Sequence, residues 1–200
     1  MLINSYFFLF IFLPSSFFLL LLFAQIKNTI NTRIYLLILI SFLFYALFSI
    51  KFSILLLVAI TSNFLLARLM SKNHSFSFYI LLLGILLNLF LLIYFKYSNY
   101  FIDNFSAIFN LNIIIERLVI PIGLSFIVFQ QISYLVDQYR NVIIKHTFIE
   151  YFLFISFFPK IIAGPILRGN EFFYQLRRRR FIKFSALNLS VGIAFLVIGL

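Results

Sequence analysis

The chain has 200 residues, 64% of them hydrophobic and only 10% charged, with a mean hydropathy of +1.12. No soluble domain of this size can hide so much apolar surface, which excludes a globular fold and points to an all-α integral membrane protein, a polytopic helical bundle. Lys+Arg 16 against Asp+Glu 5 gives a net charge of +11. The cations sit at the ends of apolar runs, as in orienting membrane loops, so nucleic acid is not an expected partner and the lipid bilayer is.

A spanning helix needs about 20 apolar residues, so the length allows roughly six to eight crossings. The apolar runs predict membrane segments at 6–23, 34–48, 52–67, 78–94, 118–136, 148–163 and 186–200, all within one transmembrane domain covering 1–200. The first run has no Lys or Arg before Ala24 and carries Pro14 in its middle, so it reads as a retained helix and not as a signal peptide. Polar breaks fall at Gln25–Arg33, Ser49–Lys51, Arg68–Ser77, Lys96–Arg117, Asp137–Thr147 and Gly164–Phe184. Several segments are short and interrupted by Pro or Gly, which suggests kinked or re-entrant helices packed inside a larger bundle. No internal repeat is visible.

Orientation follows from the basic residues Arg168, Arg177, Arg178, Arg179, Arg180 and Lys183, offset within that loop only by Glu171. As topology anchors they belong on the cytoplasmic side. If every segment crosses once, the N-terminus is cytoplasmic too; one re-entrant segment reverses that. The last run ends at Gly199-Leu200, and Gly192 and Gly199, seven apart, share a helix face suited to close packing against another helix.

Polar residues inside apolar runs are expensive in lipid and normally face protein or a watery cavity. Gln130, Tyr134 and Asp137 fall at i, i+4 and i+7 on one helix face. Arg140 lies three residues beyond Asp137, close enough for a local ion pair. Pro159 removes a helical hydrogen bond, Gly164-Pro165 forces a bend, and Arg168 follows. These eight residues are candidates for lining a tunnel or for structural roles, and their types leave both open. His74 and His146 lie in polar loops with no carboxylate or second His at helical spacing, so neither is expected to act as a base or hold a metal. With Cys 0 there is no thiol nucleophile.

The runs Leu89–Phe101, Pro121–Arg140 and Ser156–Arg168 together resemble the membrane-bound O-acyltransferase family, in particular its bacterial alginate and peptidoglycan O-acetyltransferases. Asn4–Pro14 is similar to the N-terminus of that branch. The likeness covers nearly all 200 residues, with the Asp137 and Gly164-Pro165 blocks its most specific parts. A D-alanyl-transferring branch, which acts on teichoic acid, ranks second because it usually carries another residue where Ala163 stands. The resemblance implies a many-helix bundle with a funnel across the bacterial cytoplasmic membrane. No bound cofactor is implied: acetyl-CoA or another acyl donor is a co-substrate, a periplasmic or extracellular acetyl-transfer protein a partner, and a polysaccharide the acceptor. The family's essential histidine lies beyond the length of this chain, so the expectation is an N-terminal portion with no catalytic residue, inactive alone. A transporter or flippase subunit, or an inactive remnant, is the rival reading.

Overall fold

In the computed structural model the described residues are 6–26, 30–72, 74–109, 117–161, 167–177 and 185–199, and all regular structure among them is helical. Helix α1 (Leu13–Ile26) continues from a wider π turn over Phe8–Phe12, in which the Leu13 N–H donates to Phe8 O. The turn widens just before Pro14, whose missing N–H leaves the carbonyl four residues earlier without its usual donor. Then come α2 (Ile30–Phe48), α3 (Ile50–Lys72), a short 3₁₀ turn at His74–Phe76, and α4 (Ser77–Phe109). The rest are α5 (Leu124–Tyr139), α6 (Phe148–Ser156), α7 (Phe158–Ile161), α8 (Gly169–Arg177) and α9 (Ala186–Gly199). Among the described residues three helices, at Asn31–Phe48, Ile50–Lys72 and Ser77–Phe109, are long and apolar enough to cross a membrane; Phe8–Leu22 and Ala186–Phe195 are shorter apolar helices.

Two elements differ in extent from the apolar runs that announce them. The run ending at Tyr94 continues as helix to Phe109, through what the sequence marks as a polar break. Thirty-three residues at about 1.5 Å each make α4 roughly 50 Å long, well beyond a ~30 Å hydrocarbon core. Polar side chains there do not break the helix, because Ser98 and Asn104 donate back to the carbonyls of Tyr94 and Tyr100 within it. Conversely, the run opening at Leu118 becomes helical only at Leu124. Pro121 disfavours helix for the residue before it, and Gly123 turns the chain with a positive φ of 69°. Helix α5 ends in a left-handed residue, Asn141, with Asn141 N–H donating to Gln138 O and Val142 N–H to Asp137 O, a Schellman closure.

Helices α2 to α5 pack side by side around a core that includes Phe44, Ile60, Val128 and Leu135, all nearly inaccessible. Gly84 permits the closest approach: a Cβ there would lie 2.6 Å from Leu135 Cδ1. Contacts sort the helix ends into two sets. Gln138 Nε2 donates to Ser71 Oγ and Ser77 Oγ to Met70 O, and Ile34 and Leu37 pack with Leu153 and Leu176. The start of α2, the end of α3, the start of α4 and the end of α5 therefore share one end with α6 and α8. At the other end Asn99 brackets Leu118, donating to its carbonyl at 2.8 Å and accepting from its N–H at 3.0 Å.

The segment read as 148–163 does not run straight through. Helix α6 stops at Ser156 because Pro159 cannot continue it, and Phe157 turns out of helical geometry. Phe158 inserts among Phe8, Phe12 and Phe44, and its N–H donates to Ser41 Oγ. Helix α8 then lies back at the start of α6. Phe148 and Arg177, the outer ends of α6 and α8, therefore stand at the same end of the bundle. Most described side chains of helix α9 are exposed, and among the described residues nothing lies within 4 Å of a Cβ added at Gly192, so the close packing expected there is not made at that position.

Candidate functional site

The return of the hairpin is fixed by a capping box that the sequence spells as Thr147-x-x-Glu150. Thr147 Oγ1 accepts from Glu150 N–H, and Glu150 Oε2 accepts from Thr147 N–H at 2.7 Å. The same carboxylate receives Arg177 in a two-pronged contact, Nε to Oε1 at 2.9 Å and Nη2 to Oε2 at 3.0 Å, while Nη2 also donates to Lys145 O. Asn170 ties α8 to the preceding loop, accepting from Ile144 N–H and donating to Val142 O. Arg177 is thus a clamp on Glu150 as well as part of the basic loop, and Glu150 joins Glu171 in offsetting that loop. Hydrogen bonding to Glu150 raises the Arg177 pKa above its ordinary value.

Beside this clamp lies a cavity of about 450 Å³, large enough for a small ligand. Its walls are Phe64, Arg68 and Ser71 of α3, Tyr134 and Gln138 of α5, and the loop from Ile143 to Phe148. Tyr134 and His146 meet in it, Oη to Nε2 at 2.8 Å. Because His146 Nδ1 lies 2.9 Å from the carbonyl of Ile144, which can only accept, the proton belongs on Nδ1 and Nε2 accepts the tyrosine hydroxyl. The imidazole stacks on Phe173 at 4.5 Å. Burial pushes its pKa below the ordinary value, outweighing the upward pull of the Ile144 carbonyl and of Glu150. His146 is therefore a built part of the site and not the loosely solvated interface residue its surroundings in sequence suggest. Its Nε2 accepts from Tyr134, and the group that orients its Nδ1 is the Ile144 carbonyl, where a His–carboxylate pair would have a carboxylate.

The remaining candidates are distributed. Gln130 is wholly buried and donates to Phe154 O of α6 at 3.2 Å, so Gln130 and Tyr134 both reach toward the hairpin. Asp137, next on the same face, is half-buried at the end of α5; Arg140 is exposed, and the two form no ion pair. Pro159 and Arg168 are exposed. Gly164, Pro165, Arg178, Arg179, Arg180 and Lys183 lie outside the described residues, as does the side chain of His74. Among the described residues no group of His, Asp and Glu could hold a metal.

Sequence reasoning did not single out Lys160, which is 4% exposed and donates to the Phe154 carbonyl at 2.9 Å, its ammonium lying over the rings of Phe154 and Phe172. Gln130 and Lys160 thus converge on one carbonyl near the break of the hairpin. Nor did it single out Asn63 and Asn88, which meet Gln131 in the middle of the bundle. Asn88 Nδ2 donates to Asn63 Oδ1 at 2.7 Å, and Asn63 Nδ2 to Gln131 Oε1 at 3.0 Å. Single amides inside apolar helices were the available signal.

A peptidoglycan O-acetyltransferase of Helicobacter pylori is 31% identical to this chain over 228 aligned positions, which take in 100% of the chain and 43% of that protein. Probable alginate O-acetylases AlgI of Pseudomonas putida and Pseudomonas aeruginosa are 39% and 36% identical over 104 residues, half of this chain. The chain is a homologue of these O-acetylases. The resemblance read from the Pro121–Arg140 and Ser156–Arg168 blocks is borne out by these relatives. The chain spans about two-fifths of the length of the Helicobacter protein and about a fifth of each Pseudomonas protein. No family model and no solved structure matches it.

Proposed function

We propose that the chain is the N-terminal portion of a membrane-bound O-acyltransferase that moves acetyl groups onto a cell-envelope polysaccharide. One observation carries this reading: identity to a peptidoglycan O-acetyltransferase that extends over the whole of the chain. The alginate enzymes match only half of it, which favours a peptidoglycan-type acceptor over alginate. Acetyl-CoA or a similar thioester is the donor, and a protein on the far side of the membrane hands the acetyl group on.

In this reading the end that gathers Arg68, Lys72, Arg140, Lys145 and Arg177 faces the cytoplasm, by the positive-inside rule. Because the Phe148–Arg177 hairpin returns to its own side, α1 starts on the opposite side, and the N-terminus is external. The break between α6 and α7 at Phe157 is non-helical backbone inside the bundle, tolerable only where protein or water satisfies it, which suits the wall of a transfer path. Gln130 and Lys160 secure that wall at the Phe154 carbonyl. Of the two histidines, His146 is engaged by Tyr134 and the Ile144 carbonyl. A base brought by further chain would complete the site, and the chain alone is inactive.

The test is a chimera in which these 200 residues replace the matching part of a full-length peptidoglycan O-acetyltransferase, assayed with labelled acetyl-CoA and peptidoglycan in isolated membranes. Acetyl transfer by the chimera, with none by the chain alone, is the expected result. A chimera that accumulates normally yet transfers nothing refutes the reading.

A further inference from the structure

The cavity beside Tyr134 and His146 is lined by two cations that the fold does not use. Arg68, from α3, and Lys145, from the loop before α6, both line it and both are exposed. Among the described residues neither the guanidinium nor the ammonium has a hydrogen bond or an ion pair, and no carboxylate lines the cavity. Arg177 nearby is the contrast, since Glu150 neutralises it within the chain. A volume of about 450 Å³ makes the cavity roughly 10 Å across, less than the combined reach of an arginine and a lysine on separate walls. One side of the cavity is apolar: Phe64, one turn before Arg68, and Phe148 line it with ring centroids 5.2 Å apart. Leu57 and Leu65 share the helix face of Arg68 and are exposed, so an uncovered apolar stripe runs from the cation toward the middle of α3.

We propose that this cavity binds the headgroup of an anionic phospholipid from the leaflet at that end, its phosphate met by Arg68 and Lys145 and an acyl chain lying along Leu65 and Leu57. Basic pockets between membrane helices suit acidic headgroups, because the bilayer delivers the anion at the depth where the cations stand. The stripe decides the ligand class. A soluble anion would use the two cations and leave the leucines bare, whereas a phospholipid carries a phosphate and a chain in one molecule. The lengths agree as well: at about 1.5 Å per residue Leu57 lies roughly 16 Å along α3 from Arg68, about half of a ~30 Å hydrocarbon core, which is the depth that one leaflet fills. No reacting group is involved, so the site stands apart from the acyl-transfer reading.

The test melts the full chain in detergent micelles containing dioleoyl phosphatidylglycerol or dioleoyl phosphatidylcholine, lipids with the same chains and different headgroup charge. At roughly tenfold its Kd, phosphatidylglycerol should raise the unfolding temperature about 3–6 °C more than phosphatidylcholine does. Arg68→Gln with Lys145→Gln should abolish that difference. Lys72→Gln with Arg140→Gln, exposed cations of the same end that do not line the cavity, should keep it. A difference that survives the first pair, or that both pairs reduce equally, overturns the inference in favour of general attraction to a basic surface. An equal shift from inorganic phosphate or coenzyme A without added lipid overturns it in favour of a soluble anion. If the first pair does not accumulate, Lys145→Gln alone decides: loss of about half the difference supports the site, and an unchanged difference overturns it.

Discussion

Of the polar groups on helix α5 that the bilayer would reject, Gln131 and Tyr134 behave in opposite ways. Gln131 faces α3 and α4 and joins Asn63 and Asn88 in a network of neutral amides, buried and orientationally fixed. Tyr134, one turn further on, faces a cavity at the basic end and meets a titratable group on a loop. The first has the anatomy of interhelical glue: uncharged, enclosed, and spread over three helices. The second pairs a proton donor with an ionisable acceptor beside open space, which is where chemistry or ligand contact can change a state. Polarity inside a membrane helix therefore does not identify function by itself; the partner and the access do.

The comparison is broken most severely by cutting the clamp that shapes the cavity. Glu150→Ala removes the capping box and leaves Arg177 without its carboxylate, at a cost of about 2 kcal/mol after allowance for the exposed flank of Arg177. Thermal unfolding in detergent should register it, and Glu150→Gln should recover the cap but not the ion pair. In the glue region Gly84→Ala drives a Cβ against Leu135, costing about 1–2 kcal/mol because the end of that leucine can shift only within a packed core. Gly192→Ala on α9 meets nothing within 4 Å and should be neutral or slightly stabilising. Asn63→Leu should cost about 1 kcal/mol, near the average for interhelical bonds in membranes. A double-mutant cycle with Gln131→Leu should show the two losses to be non-additive.

Much of the fold was legible because a bilayer imposes one rule on every crossing, a long apolar helix, and the runs of Leu, Ile and Phe announce it. The ends of elements were less legible. Helix α4 outlasts its apolar run because Ser98 and Asn104 turn back onto the helix, and α5 starts late because Pro121 and Gly123 act on backbone angles that hydropathy ignores. In the candidate site, Gln130 and Tyr134 stood out as polar residues in an apolar run. His146 did not, since its partners Tyr134 and Phe173 lie 12 and 27 positions away and only the hairpin brings them in. The T-x-x-E signature at Thr147 was readable but says nothing of Arg177, which arrives from the far limb of the same hairpin.

The smallest expected effect sharpens the comparison most, because only one of the two regions can respond to pH. Burial holds the His146 pKa below the value of about 6.5 that the unfolded chain would show. Between those two values the unfolded state binds more protons than the folded one. Stability contributed by neutral His146 is therefore complete above about pH 6.5 and is lost as pH falls through the folded-state pKa. Protonation also reverses the bond to Tyr134, since Nε2 then carries a proton and can no longer accept. Unfolding temperatures measured from pH 8 down to pH 5 should decline below about 6.5, and His146→Gln should reduce that slope. Asn63→Leu should shift the whole curve downward without altering its shape, as a neutral network must. An identical slope in His146→Gln would move the acid sensitivity elsewhere and return His146 to the structural category.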